Sequence, residues 1–235
     1  MTHEPGDIFV YAPWSRLNET PEEIARRTSR FMEEFSSRVS VGRWRPIQQE
    51  EDEWDGTEAG LAGFIGNRIM RKSDGEHAPE GGYHFLLETE NDLLETCFSV
   101  TAGQSKILEP AYGPSFYQQF GWLPFPDPDQ PPRVSADFLW EASLRAVIPA
   151  FDPIFAAGQE LDVIMEQEPE GWLLPIGYRV WINERVGDVR ACAEGLTVER
   201  LGNGTLIRVP DSWPAERVIE TLTETFRSND LDGLL

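Results

Sequence analysis

Leu196-Thr-Val-Glu-Arg-Leu201 and Thr205-Leu-Ile-Arg-Val209 flank Gly202-Asn203-Gly204 near the end of the chain. Both runs are rich in β-formers, and Gly and Asn accept the positive φ of a tight hairpin turn. Beyond them Pro214 suits a first helical turn, where a missing N–H does no harm. Ala215, Val218, Ile219, Leu222 and Phe226 then recur at helical spacing, with Glu216, Arg217, Glu220 and Glu224 on the opposite face. A strand–turn–strand–helix unit follows, and the rest of the chain is expected to pack on it. This unit fixes the fold class as α+β. It carries no chemistry.

The same patterns extend the reading towards the N-terminus. Asp7 to Ala12 reads as a first strand. Thr20-Pro-Glu-Glu23 is a capping box that opens an amphipathic helix through Ser37 or Arg38, with Ile24, Thr28, Phe31, Met32 and Phe35 inward. Residues 57–72 fit a short helix, and Tyr83 to Glu90 and Leu93 to Thr101 two strands. Pro110 to Pro132 holds seven prolines. Proline removes backbone donors, so this span is expected as a surface loop, with at most one helical turn over Tyr117 to Trp122. Ser135 caps a largely buried helix that should run through Val147 and close before Pro149. Asp152 to Ala157, Leu161 to Glu166 and Ile176 to Asn183 read as strands. The expected architecture is one domain over residues 1–235, with one mixed, largely antiparallel sheet flanked by helices and ending in a β-hairpin and a C-terminal helix.

Composition narrows the function. Asp and Glu number 41 against 20 Lys and Arg, a net charge of −21. Such a surface repels nucleic acid and anionic membrane and attracts basic partners, although acidity for solubility alone gives the same total. No apolar run reaches the ~18 residues of a membrane helix, and the N-terminus lacks the basic and apolar parts of a secretory signal. Cys97 and Cys192 lie in strand-like stretches and read as two core thiols, which points to the cytoplasm.

The usual catalytic constellations are missing from the sequence. Gly60-Leu-Ala-Gly63-Phe-Ile-Gly66 lacks the Lys and Ser or Thr of a phosphate loop. His3, His77 and His84 are the only histidines, and they lack zinc-ligand spacing. There is no Gly-x-Ser-x-Gly elbow. Asp127-Pro-Asp129 and Asp52 with Asp55 make poor cation loops, for want of the glycine such loops need. The expectation is a binding protein rather than an enzyme, with no cofactor and no metal. Gln48-Gln-Glu-Glu-Asp-Glu-Trp-Asp55 is a dense acidic run around one aromatic; it reads as a solvated loop or as a contact patch anchored by Trp54.

Three stretches together resemble the immunity protein 52 family of bacterial polymorphic toxin systems. They are Tyr11-Ala-Pro-Trp14-Ser-Arg16 with Glu19-Thr20 and the helix from Glu22 through Arg27 to Phe35, closing on Trp44; Gly171-Trp172-Leu173; and Gly204-Thr-Leu206 with the helix running to the Gly-Leu-Leu end. The resemblance implies a cytoplasmic antitoxin that blocks a cognate toxin stoichiometrically. That toxin is usually a nuclease with a restriction-endonuclease-like domain, often delivered by type VI secretion. A nuclease cleft is basic because it holds phosphates, so an acidic protein can occupy it or its rim. The toxin-binding residues put forward are Glu50, Glu51, Asp52, Glu53, Trp54 and Asp55, and second Tyr117, Trp122, Asp127 and Asp129. Trp14, Trp44, Trp140, Trp181 and Trp213 are assigned to the core. An enzyme using paired carboxylates on a cationic small substrate, and a peptide adaptor using an exposed sheet edge, are the competing classes.

Overall fold

A computed structural model describes residues 8–47, 54–72, 74–90, 94–106, 113–122, 134–167 and 175–234. Its strands are β1 (Ile8–Pro13), β2 (Arg45–Pro46), β3 (Tyr83–Glu90), β4 (Leu94–Ala102), β5 (Ser115–Trp122), β6 (Phe155–Glu160), β7 (Arg179–Asn183), β8 (Thr197–Leu201) and β9 (Gly204–Arg208). The helices are α1 (Pro21–Arg38), α2 (Glu58–Gly66), α3 (Ala136–Phe151), α4 (Leu161–Glu166) and α5 (Ala215–Arg227). The strands form one nine-stranded sheet in the order β2-β3-β4-β5-β1-β6-β7-β9-β8. Each strand pairing is antiparallel. The α+β class and the closing hairpin and helix are as the sequence indicates.

β1 is the centre. Ile8 to Ala12 is buried at every position, on both sheet faces, which explains its unbroken apolar run. One face is covered across its width by α1, α2 and α3. Phe31 of α1 meets Phe98 of β4 and Phe116 of β5, Phe64 of α2 meets Phe85 of β3, and Trp140 of α3 donates to the Phe9 carbonyl. Gln118, buried on this face at the heart of the sheet, is satisfied by Thr96 and Ser143. On the other face, the β6, β7 and β9 half is also buried, through Ala157, Val180, Ile182 and Ile207. Val218, Leu222 and Phe226 of α5 share that core, and α5 packs on α4.

Several expectations need correction. The Pro-rich span contains β5, a full central strand and not a loop with a helical turn. Its prolines flank Ser115–Trp122 and do not interrupt it, and polar Gln118 at a buried position hides the alternation. α3 continues through Pro149 to Phe151 and stops at Asp152 in the left-handed region, φ 45°. The buried side chains of Val147, Ile148, Ala150 and Phe151 hold that last turn against the proline's preference. Leu161–Glu166 is a short helix and not a strand, since so brief an apolar run has no decisive period. Cys97 is half-buried on β4, and Cys192 is exposed outside any strand, so neither is a core thiol. The terminal hairpin lies at one edge and does not organise the sheet. Its turn is Gly202-Asn203 alone, with Leu201 opposite Gly204. Gly204 serves packing: a Cβ there would stand 2.3 Å from the Ile182 carbonyl oxygen and 2.5 Å from the Trp181 ring.

Trp140 also fixes how α3 seats on the sheet. Its ring stacks on Tyr178 at 5.6 Å and rests on Gly158, where an added Cβ would approach within 2.6 Å. Gly158→Ala should therefore lower stability by about 1–3 kcal/mol through overpacking. Urea unfolding followed by tryptophan fluorescence reads this, and an unchanged midpoint would remove the contact from the account.

Candidate functional site

The strongest local cluster forms where β1 leaves the sheet. The Trp14 indole N–H donates to the buried carboxylate of Glu19 at 2.9 Å. The other Glu19 oxygen pairs with Arg27, in the second turn of α1. Thr20 caps that helix, and its reciprocal bonds with Glu23 set the phase that turns Arg27 inward. Arg27 also donates to the carbonyls of Ala150 and Phe151, the free C-terminal carbonyls of α3. Its guanidinium lies 4.9 Å from both the Trp14 and Phe151 rings. Burial pulls the Arg27 pKa below its ordinary value, and Glu19 opposes that shift.

Beside this cluster opens a pocket of about 400 Å³, walled by Arg16, Arg26, Arg27 and Arg185 with Asp152, over the rings of Trp14 and Phe151. Asp152 is a junction. Asn183 and Asn203 donate to one carboxylate oxygen, and Arg185 pairs with the other at 3.0 Å while also donating to the Asp152 carbonyl. The ends of α3 and β7 and the β8–β9 turn are thereby tied together. Sequence reasoning assigned Trp14 to the core and otherwise picked out Trp14, Arg16, Glu19 and Arg27 as marks of resemblance. Nothing in linear spacing brings Asp152 or Arg185 to them.

The second feature is the half-face of the sheet that no described helix covers. Along β3, β4 and β5 burial alternates residue by residue. Phe85, Leu87, Phe98, Val100, Phe116 and Phe120 point inward, while His84, Leu86, Glu95 and Gln119 are exposed on the other side. Leu86 is 39% exposed. Register places Ser99 between Leu86 and Tyr117, and Cys97 between Glu88 and Gln119. Glu88 also meets Arg45 of β2 at 2.9 Å.

The residues put forward for toxin contact separate. Glu50, Glu51, Asp52, Glu53, Asp127 and Asp129 lie outside the described residues. Trp54 and Asp55 form the turn before α2. The Trp54 indole donates to the Thr57 carbonyl at 2.7 Å, its own carbonyl accepts from Arg43, and its ring is half-buried against the core. Asp55 accepts from the Thr57 amide and hydroxyl, and these bonds, with Arg43 adding less, hold its carboxyl below the usual range. Tyr117 is half-buried on the uncovered half-face, stacked on Phe9 at 5.6 Å, and burial raises its pKa. Trp122 ends β5 opposite Leu94. Trp54 and Asp55 belong to α2, which packs on the Phe85 face, so they and Tyr117 stand on opposite sides of the sheet. Trp14, Trp44, Trp140 and Trp181 are buried as assigned, and Trp213 is half-buried against the core. Among the described residues, no group of three or more His, Cys, Asp or Glu is placed to hold a metal. No described helix is long and apolar enough to cross a membrane.

No protein-family model and no curated protein sequence matches the chain. Among solved structures it is similar to the Pseudomonas aeruginosa T6SS protein PA0821, with a TM-score of 0.48 and 8% identity over 95% of this chain and 76% of that one.

Two outcomes follow from this geometry. Glu19→Gln leaves the Arg27 charge buried without its counter-ion and should lower stability by about 3 kcal/mol, read as a shifted denaturant midpoint; a shift under ~1 kcal/mol would show that the α3 carbonyls suffice. Burial, then Glu95 and Glu88, raise the Cys97 pKa, so its thiol is held protonated. In a Cys192→Ser variant at pH 8, iodoacetamide should modify folded protein more slowly than urea-unfolded protein. Equal rates would contradict that environment.

Proposed function

We propose that this chain is an immunity protein that binds and neutralises a cognate toxin by stoichiometric blockade, without turnover. The observation that carries the reading is the uncovered β3–β4–β5 half-face on a chain of net charge −21. Leu86 and the half-buried Tyr117 share one cross-strand row, and the carboxylates of Glu88 and Glu95 lie in the next two rows to one side, so an apolar spot borders an acidic one. Such a surface fits a basic protein partner, with steering from the net charge and tightness from a few desolvated side chains. The resemblance of Tyr11 to Trp44, Gly171-Trp172-Leu173 and the terminal unit to immunity protein 52 suggests the same role, and with it a nuclease toxin of the restriction-endonuclease-like kind, although no family model matches the chain. The acidic run Glu50 to Asp55 adds to the attractive field.

The test begins with co-purification with the product of the neighbouring reading frame, followed by a nuclease assay with and without this protein. Inhibition should saturate at one equivalent. Leu86→Ser should weaken binding about tenfold, chiefly through faster dissociation. Glu95→Gln combined with replacement of Glu50 to Asp55 by Ser and Ala should slow association and flatten its salt dependence. A cognate toxin unaffected by a molar excess of this protein rejects the role. Unchanged rates in both variants reject the surface.

A further inference from the structure

We infer that the arginine-walled pocket at the C-terminal end of α3 binds a small oxyanion carrying at least two negative charges. This rests on the pocket alone and is independent of the toxin reading.

The local composition inverts that of the chain. Carboxylates outnumber basic side chains by about two to one over the whole sequence, yet four guanidiniums and a single carboxylate side chain, that of Asp152, wall this pocket. Two of the four are occupied. Arg27 is held by Glu19 and the carbonyls of Ala150 and Phe151, and Arg185 by Asp152. These same bonds neutralise the two features that would repel an anion, the α3 carbonyl end and the Asp152 carboxylate. Arg16 and Arg26 form no hydrogen bond or ion pair with any described residue. Counting Glu19 and Asp152 against the four arginines leaves two positive charges uncancelled at one mouth. Arg16 is close enough to Arg27 to help push its pKa down, so the repulsion is felt within the cluster.

Positive charge gathered at one mouth attracts an anion of matching size. The guanidinium is the side chain whose planar fork matches carboxylate and phosphate oxygens in pairs. The open-mouthed volume of ~400 Å³ is at the lower end of small-ligand pockets. The floor of buried Trp14 and Phe151 rings under Arg27 is rigid, so Arg16 and Arg26 are the two arms left to close on a ligand. A diphosphate or a compact di- or tricarboxylate has the charge and size required.

Isothermal titration of the full chain with pyrophosphate and with citrate, at matched ionic strength in a chloride buffer, tests this. Saturable one-to-one binding with a dissociation constant below about 1 mM is expected for one of the two. Tighter pyrophosphate binding assigns the site to phosphate groups, and tighter citrate binding assigns it to carboxylates. The double variant R16Q/R26Q removes only side chains without described partners, so it should keep the wild-type melting temperature and lose at least tenfold in affinity. R190Q, at an exposed arginine paired with Asp188 elsewhere on the surface, should bind as the wild type does. No saturable binding of either anion up to about 10 mM, or undiminished binding in R16Q/R26Q, would overturn the assignment.

Discussion

The Arg27 guanidinium ties together three parts of the chain that pack on one another, the exit of β1, α1 and the end of α3. It takes the charge of Glu19, and through it the Trp14 indole, from the exit of β1. It closes the carbonyl end of α3 from the side of α1. α1 and α3 are the helices that cover the sheet face from β4 across to β7, so their relative placement sets the shape of that face. A buried cation is tolerable only with such a full set of partners, because desolvation opposes the charge at every missing one. The capped start of α1, the left-handed stop of α3 at Asp152 and the tie from Asp152 to the β8–β9 turn all serve to keep those partners in place.

Two surfaces of opposite character result. Where helices cover the sheet, the chain end of α3 gathers positive charge. Where they do not, the β3–β4–β5 half-face offers Leu86 and Tyr117 beside the carboxylates of Glu88 and Glu95. Both features depend on β1 in the middle of the sheet: its C-terminal exit builds the first, and its pairing with β5 orients Tyr117 and Phe9 for the second. The acidic total of the chain describes only the second surface, which is why composition alone points to a single kind of partner.

Local patterns reported the elements well wherever one period dominated. Thr20 to Arg38, the β3–β4 pair and the closing hairpin and helix are such segments, and the class followed from them. The failures have a common physical cause, in that tertiary burial overrode local preference. Gln118 fills a core position because Thr96 and Ser143 answer its amide, so β5 does not look like a strand. Ile148 stays helical ahead of Pro149 because its turn is packed. Gly204 reads as a turn residue but is required by the Ile182 and Trp181 atoms beside it. For the functional surfaces, residue type was visible and position was not. Trp54 and Asp55 looked like a free anchor and charge, yet they are bound into the turn before α2. Asp152 and Arg185 carry no linear mark at all.

Ile8–Pro13 precedes in sequence both of the strands it pairs with, β5 and β6, so it is made before either of them. Val10 finds Gln118 on one side and Gly158 on the other only after most of the chain has emerged. Until then the apolar Ile8–Ala12 run lacks both of its strand partners. Distant pairings of this kind slow folding, so substitutions in Ile8–Ala12 would be felt in the rate and yield of folding as well as in stability.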